Sequence, residues 1–177
     1  RRGTSLLRAG TRLNPARLSL LAAGGLGAVR VARQPVVGVL ATGSELREAG
    51  QPLQPGQIYE SNRIGLAAQL PAIGAVPRVY PIVADTLSQT CAVLAQALQE
   101  CDALITTGGV SVGELDFVKA AFTDLGGELM FWKVAMKPGK PFGFGRWRDK
   151  FFFGLPGNPV SVMVTFLLLV RPALLRG

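Results

Sequence analysis

Histidine is absent from the 177 residues. That removes Ser-His-Asp triads, Cys-His dyads and every imidazole metal site, so any chemistry here must rest on carboxylates, lysines and backbone groups. Cysteine is scarce. Cys91 and Cys101 fall in or beside one predicted helix, with neither the number for a disulfide framework nor the spacing and companions of a zinc site. They are expected to be packing residues in a reduced, cytoplasmic setting. No apolar run reaches the roughly 18 residues that a bilayer crossing needs. The longest, Val160 to Val170, contains Ser161 and Thr165 and is expected to be a buried helix. Acidic residues are missing from residues 1–34, which carry seven Arg. The rest of the chain sets twelve Lys and Arg against eleven Asp and Glu, so nearly all of the net charge of +8 sits in that first segment. The main body therefore lacks the broad basic footprint of a nucleic-acid binder.

What is present suits a packed domain with an appendage: 49% of residues are hydrophobic and 17% charged. The Arg-rich start is similar in composition to a transit peptide. It opens on Arg1 and has its own punctuation for one capped helix and one strand. We therefore expect residues 1–34 to belong to a preceding unit of a longer protein, and a boundary near Gln34. From Pro35 onward, short apolar runs alternate with helical stretches, which predicts a sheet covered by helices. VVGVLAT reads as a buried strand ending at Thr42. Ser61 and Asn62 offer caps to a helix running toward Gly74. VPRVYPIVAD reads as a strand whose prolines favour a sheet edge. Thr86 or Ser88 can cap the helix after it, DALITT is a short strand, and Leu115 to Leu125 form an amphipathic helix. ELMFWKVAM is expected to be extended, FGFGRW and KFFFGL to pair across a turn near Asp149, and a last helix to start near Asn158 and Pro159.

In an open α/β sheet the ligand lies beyond the carboxyl ends of the strands, so residues just after each apolar run carry the functional signal. In TTGGVSVGELD a strand ends in Gly108 and Gly109, which allow close backbone approach. Ser111 adds a hydroxyl, and Glu114 and Asp116 either cap the next helix or hold a divalent cation against a phosphate. FWKVAMKPGKP gathers Lys133, Lys137 and Lys140, three of the chain's five lysines. In an extended strand Lys133 and Lys137 share a face and can address one anion, although edge-strand protection would also place lysines there. LPGNPVS puts Pro156, Gly157, Asn158 and Ser161 at a helix start, which by itself explains the pattern. ATGSEL places Thr42, Gly43, Ser44 and Glu45 at a strand end, as a contact loop or a plain turn. Asp85 ends the VYPIVAD run and is either on the same edge or an N-cap. Neither GxxxxGK[ST] nor GxGxxG occurs. Together these loops imply a crevice for a phosphorylated ligand handled with Mg²⁺.

The ordered set TGSEL, QIYESNR, TTGGVSVGELD, FWKVAMKPGKP and LPGNPVS resembles the molybdopterin molybdenumtransferase family, MoeA in bacteria and the matching E domain of gephyrin. The resemblance covers nearly all of residues 36–177. It implies a three-layer α/β/α domain with a mostly parallel sheet at 35–177, inside a longer homodimer that contacts other proteins of molybdenum cofactor biosynthesis. It also implies the reaction: molybdate enters adenylylated molybdopterin and AMP is released. The functional positions it carries over are Asp85, Asp116, Lys133 and Lys137. It further implies that Ser111, Glu114, Lys140 and the PGNPVS loop line the pocket, and from charge Asp116 is expected to position Mg²⁺ or a water, with Glu114 a second metal contact. The family often has Asp where Ser44 stands, which puts metal contact at that position in doubt. Two other readings stay open, a molybdopterin adenylyltransferase and a non-catalytic pterin-binding or scaffold module.

Overall fold

The computed structural model describes residues 3–109 and 117–176. The chain divides into two compact units, Arg1–Arg33 and Gln34–Gly177. In the first unit, α1 spans Pro15–Ala23. Asn14 caps it by accepting the Arg17 N–H, and Pro15 occupies the first turn, where a missing N–H is harmless. The strand expected in this unit does not form among its described residues. An extended segment needs a hydrogen-bonded neighbour, and the unit supplies none.

In the second unit, the elements in chain order are β1 (Val36–Ala41), β2 (Leu46–Arg47), β3 (Ile58–Tyr59), α2 (Asn62–Gln69), a 3₁₀ turn (Pro71–Ile73) and β4 (Val76–Val79). Then come α3 (Leu87–Glu100), β5 (Ala103–Thr107), α4 (Phe117–Asp124), β6 (Glu128–Phe131), β7 (Gly143–Trp147) and β8 (Lys150–Leu155). The chain ends in α5 (Pro159–Thr165), a π turn (Phe166–Val170) and α6 (Arg171–Leu174). The main sheet has the order β4-β1-β5-β8-β7-β6. β4, β1, β5 and β8 run parallel, and β7 is antiparallel to both of its neighbours. β1, β5 and β8 are the central, nearly continuous apolar runs that a sheet buried on both faces requires.

Strand alternation sorts these runs into two cores. Val37, Val39, Ile105, Phe153 and Leu155 face α2 and the last helix through Leu66, Leu70, Val162 and Phe166. Leu40, Leu104 and Phe152 face α3 and α4 through Leu94, Leu98, Val118 and Phe122. Phe122 and Phe152 stack with ring centroids 4.1 Å apart. Burying each such ring contributes about 1.5–3 kcal/mol. The result is the three-layer α/β/α arrangement expected from the sequence.

Four local expectations need correction. ELMFWKVAM is a strand only to Phe131, with a register shift between Leu129 and Phe131. Beyond it the chain doubles back, Val134 N–H donating to Lys140 O, and Pro138 and Pro141 have no N–H to offer a ladder. The apolar run Val160 to Val170 is covered on one face only: Val162, Phe166 and Val170 are buried, but Val160 is 65% and Leu168 60% exposed. Only that face meets the sheet layer. The α2 cap comes from neither Ser61 nor Asn62; the Glu60 carboxylate accepts the Arg63 N–H. Thr86 occupies the α3 cap position without a side-chain bond to the helix start. Its carbonyl receives the Thr90 hydroxyl instead. β4 lies at the sheet edge as expected, and after Pro81 pairing resumes only at the bridge from Val83 to Thr42. Among the described residues, no helix is long and apolar enough to cross a membrane.

Candidate functional site

Three parallel central strands end on the same side of the sheet, and their loops meet there. Thr42 follows β1, Gly108 and Gly109 follow β5, and Pro156 to Asn158 follow β8. Thr42 N–H donates to Thr107 O at 3.0 Å and Gly43 N–H to Val83 O at 3.1 Å, so the β1 loop is laced to both neighbours. The two glycines after β5 are demanded by packing as well as by backbone. Gly108 and Gly109 sit at φ +78° and +64°. A Cβ on Gly108 would collide with the Thr42 carbonyl oxygen, and one on Gly109 would lie 2.6 Å from Val118 Cγ2. The loop after β8 is shaped by Asn158, whose Oδ1 accepts from Val160 N at 3.0 Å and Ser161 N at 3.3 Å, with Pro159 in the first turn. The helix-start reading of LPGNPVS is therefore realised, and the same residues also form part of a cleft.

That cleft has a volume of about 590 Å³. Of the residues singled out from sequence, it brings together Thr42, Gly43, Asp85, Gly108, Gly109, Pro156, Gly157, Asn158 and Ser161. Glu45, named from sequence within the ATGSEL loop, lines it too, and Phe117 and Pro141, which were not assigned to it from sequence, complete its wall. Phe117 and Pro141 carried no chemical signal of their own.

Ser44 takes a different place. It faces an adjoining cleft of about 620 Å³ that shares Gly43 and is walled by Leu46, Arg47, Pro81 and Ile82. Ser44 also binds Asp85 reciprocally: its N–H donates to Asp85 Oδ2 at 3.0 Å, and its Oγ accepts from Asp85 N at 3.1 Å. The Asp85 carboxylate is thus engaged by the β1 loop. Lys133, Lys137 and Lys140 are exposed and pair with no carboxylate among the described residues. They are not themselves in the cleft wall, which their loop reaches at Pro141. Exposure still alternates along that loop: Lys133, Ala135 and Lys137 are exposed, while Trp132, Val134 and Met136 are half-buried. The two lysines thus share an exposure pattern without a strand ladder. Ser111, Glu114 and Asp116 lie outside the described residues.

The QIYESNR segment builds a polar cluster around the buried Arg63 and Glu60, with the half-exposed Glu48 at its rim. Arg63 Nε donates to Glu60 Oε2 at 2.8 Å, Nη2 to Glu48 Oε1 at 2.7 Å, and Nη1 to the Tyr80 carbonyl. Arg63 and Glu60 are each 3% exposed. Burial alone would lower the Arg63 pKa, but the hydrogen bonds it donates to Glu48 and Glu60 outweigh that effect and hold the pKa above its ordinary value. Next to Arg63, Asn62 Nδ2 donates to Gly157 O at 2.8 Å, linking this cluster to the cleft loop. Among the described residues there is no group of three or more potential metal ligands. The cleft's described carboxylates are Glu45 and Asp85.

Residues 38–176 match the family model described as a probable molybdopterin binding domain. The chain is 44% identical over 176 residues to the molybdopterin molybdenumtransferase of Haemophilus influenzae, covering 99% of this chain and 43% of that protein. It is 43% identical to the protein of the same name from Bacillus subtilis, covering 97% of this chain and 40% of that one. The chain thus spans well under half the length of these relatives. Among solved structures, the molybdopterin biosynthesis MoeA protein from Pyrococcus horikosii superposes with a TM-score of 0.84 at 34% identity, covering 97% of this chain and 42% of that one. The tungsten cofactor synthesizing protein MoaB from Pyrococcus furiosus has a TM-score of 0.57 at 14% identity, over 81% of this chain and 94% of that one, and shares the fold alone.

Proposed function

We propose, from the premise that this chain belongs to the probable molybdopterin binding domain family, that its cleft holds the phosphorylated part of molybdopterin. In this reading the chain forms the pterin-binding part of a molybdopterin molybdenumtransferase. The observation that carries the reading is the convergence of Thr42, Gly108 and Gly157 from three strand tips on one cleft, flanked by Asp85 and Glu45. Glycine-lined loops let a phosphate approach the backbone closely. The first amides of α5 already serve Asn158. Attraction for the anion therefore falls to the lysine loop: Lys133 and Lys137 draw phosphate or molybdate oxygens, and Lys140 enters beside Pro141. Ser111 adds a hydroxyl.

Mg²⁺ suits this chemistry, because the donors available are carboxylate oxygens with neither thiolate nor imidazole among them. Asp116 and Glu114 would hold it, and it would neutralise phosphate charge. The complete enzyme would act as a cytoplasmic homodimer in contact with other proteins of molybdenum cofactor biosynthesis. It would insert molybdenum into adenylylated molybdopterin, cleave the pyrophosphate link and release AMP.

The test is calorimetry of the chain with molybdopterin, followed by an assay of AMP release from adenylylated molybdopterin with molybdate and Mg²⁺. Binding with AMP release supports the whole reading, and absence of pterin binding refutes it. The chain's limited share of its relatives' length favours a second reading, a module that binds the pterin without turning it over. Binding without AMP release would select that one. Pyrophosphate release from ATP would instead identify an adenylyltransferase.

A further inference from the structure

Two of the three cleft loops are fixed by contact. The Gly108–Gly109 turn is packed against Thr42 and Val118, and the Thr42 loop is laced to Thr107, Val83 and Asp85. The third, Pro156 to Asn158, is buried at Pro156 but open beyond it: Gly157 and Asn158 are exposed, and a Cβ on Gly157 would meet only the Gly108 Cα, at 3.7 Å. No strand ladder reaches this loop, since β8 ends at Leu155. What ties its middle peptide to the rest of the fold, among the described residues, is the Asn62 side chain donating to Gly157 O.

Asn62 is itself held firmly. It opens α2 one residue before Arg63, whose guanidinium is locked by Glu60, Glu48 and the Tyr80 carbonyl. The other atom of the Asn62 amide, Oδ1, is buried with no hydrogen-bond partner among the described residues. Packing does not account for an amide left half-satisfied in this way, because an apolar side chain would fill the space without the unmatched acceptor. Helix capping does not either, because the Glu60 carboxylate accepts the Arg63 N–H at the start of α2.

We infer that Asn62 is a positioning residue for the cleft. It fixes the Gly157 peptide, and through it the entry of Asn158 and Ser161, in the orientation the phosphorylated ligand meets. The inference rests on the reading of the cleft given above. The Glu60–Arg63 pair is the anchor, Asn62 is the arm, and the loop after β8 is what they set. In this view QIYESNR contributes to the site without lining it.

The experiment compares wild type with Asn62→Ala, Asn62→Asp and Asn62→Gln, measuring molybdopterin affinity by calorimetry, amide hydrogen exchange over residues 157–161, and melting temperature. Asn62→Ala and Asn62→Asp lose the donor. They are expected to weaken molybdopterin binding about fivefold to tenfold and to speed exchange of the Val160 and Ser161 amides by a similar factor, as loss of one hydrogen bond implies. Melting should stay close to wild type, and Asn62→Gln, which keeps an amide donor, should recover part of both losses. Wild-type exchange in Asn62→Ala and Asn62→Asp would overturn the inference. So would exchange that rises equally in β1 and β5, or global unfolding of both variants, because Asn62 would then belong to the scaffold. If wild type itself fails to bind molybdopterin, that counts against the functional reading, and the exchange comparison still decides the role of Asn62.

Discussion

Gly108→Ala and Gly157→Ala should have opposite consequences, although both glycines sit in the same cleft wall. Gly108 has φ +78°, and its Cβ position is blocked by the Thr42 carbonyl oxygen, a rigid backbone atom at the end of β1. Forcing alanine into the left-handed region costs about 1–2 kcal/mol. Displacing a packed neighbour adds about 1–3 kcal/mol, so a loss of roughly 2–5 kcal/mol follows. At about 2–4 °C per kcal/mol for a chain of this size, the melting temperature should fall by roughly 4–20 °C. Gly157 has no positive φ, and its Cβ would find ordinary contact at 3.7 Å. Alanine there should leave stability unchanged or raise it by about 0.4–1 kcal/mol, by restricting the unfolded chain. Its methyl would project beside Gly108 into the space assigned to ligand and should weaken molybdopterin binding. Thermal melts of the two variants, with calorimetry on Gly157→Ala, make the comparison. A Gly157→Ala protein that melts as early as Gly108→Ala, or a Gly108→Ala protein that melts with wild type, would refute the packing argument.

Lys150 Nζ donates to the carbonyls of Leu98 and Gln99 at the end of α3. Lys150→Met should therefore cost about 0.5–2 kcal/mol in a urea melt, and an unchanged midpoint would show the contact to be idle. Glu60→Gln weakens one of the two carboxylate partners of buried Arg63 and should destabilise by about 1.5–3 kcal/mol, whereas wild-type stability would mean that Glu48 and Tyr80 suffice. Burial, the largest cause, pushes the Cys101 thiol pKa up. The stability it contributes is complete below the unfolded value of about 8.5 and is lost as pH rises through the folded value. The urea midpoint should accordingly fall between pH 8 and pH 10, and less steeply in Cys101→Ala; a midpoint that rises over this range contradicts the sign. In a complete enzyme, Asp116→Asn or Lys137→Ala should reduce AMP release far more than it lowers the melting temperature, and unchanged turnover in both would remove their assigned roles.

Much of the site was legible because its signals are local. Glycine pairs after apolar runs, Asn-Pro at a helix start and an acid ending a strand each mark a loop, and the parallel sheet turns loops into neighbours. Asn62, Glu60 and Arg63 were not recovered as site components. Their pattern reads as an ordinary helix entrance, and the bond from Asn62 to Gly157 joins residues 95 positions apart. Ser44 shows the same limit: its type suited a ligand contact, yet its bonds go to Asp85, 41 positions away. The lysine loop was misjudged as a continuous strand because alternation persists in its exposure after ladder pairing has ended at Phe131.

Hydrophobic periodicity and turn chemistry act over a few residues, so the chain's order of residues alone determined the sheet's buried strands, the helices that cover it and the glycine-rich loops at the strand tips. Which tips touch, which side chains line the cleft and which merely hold it were decided only when β1, β5 and β8 came into register. Those relations depend on contacts between residues distant in sequence, which no local pattern encodes.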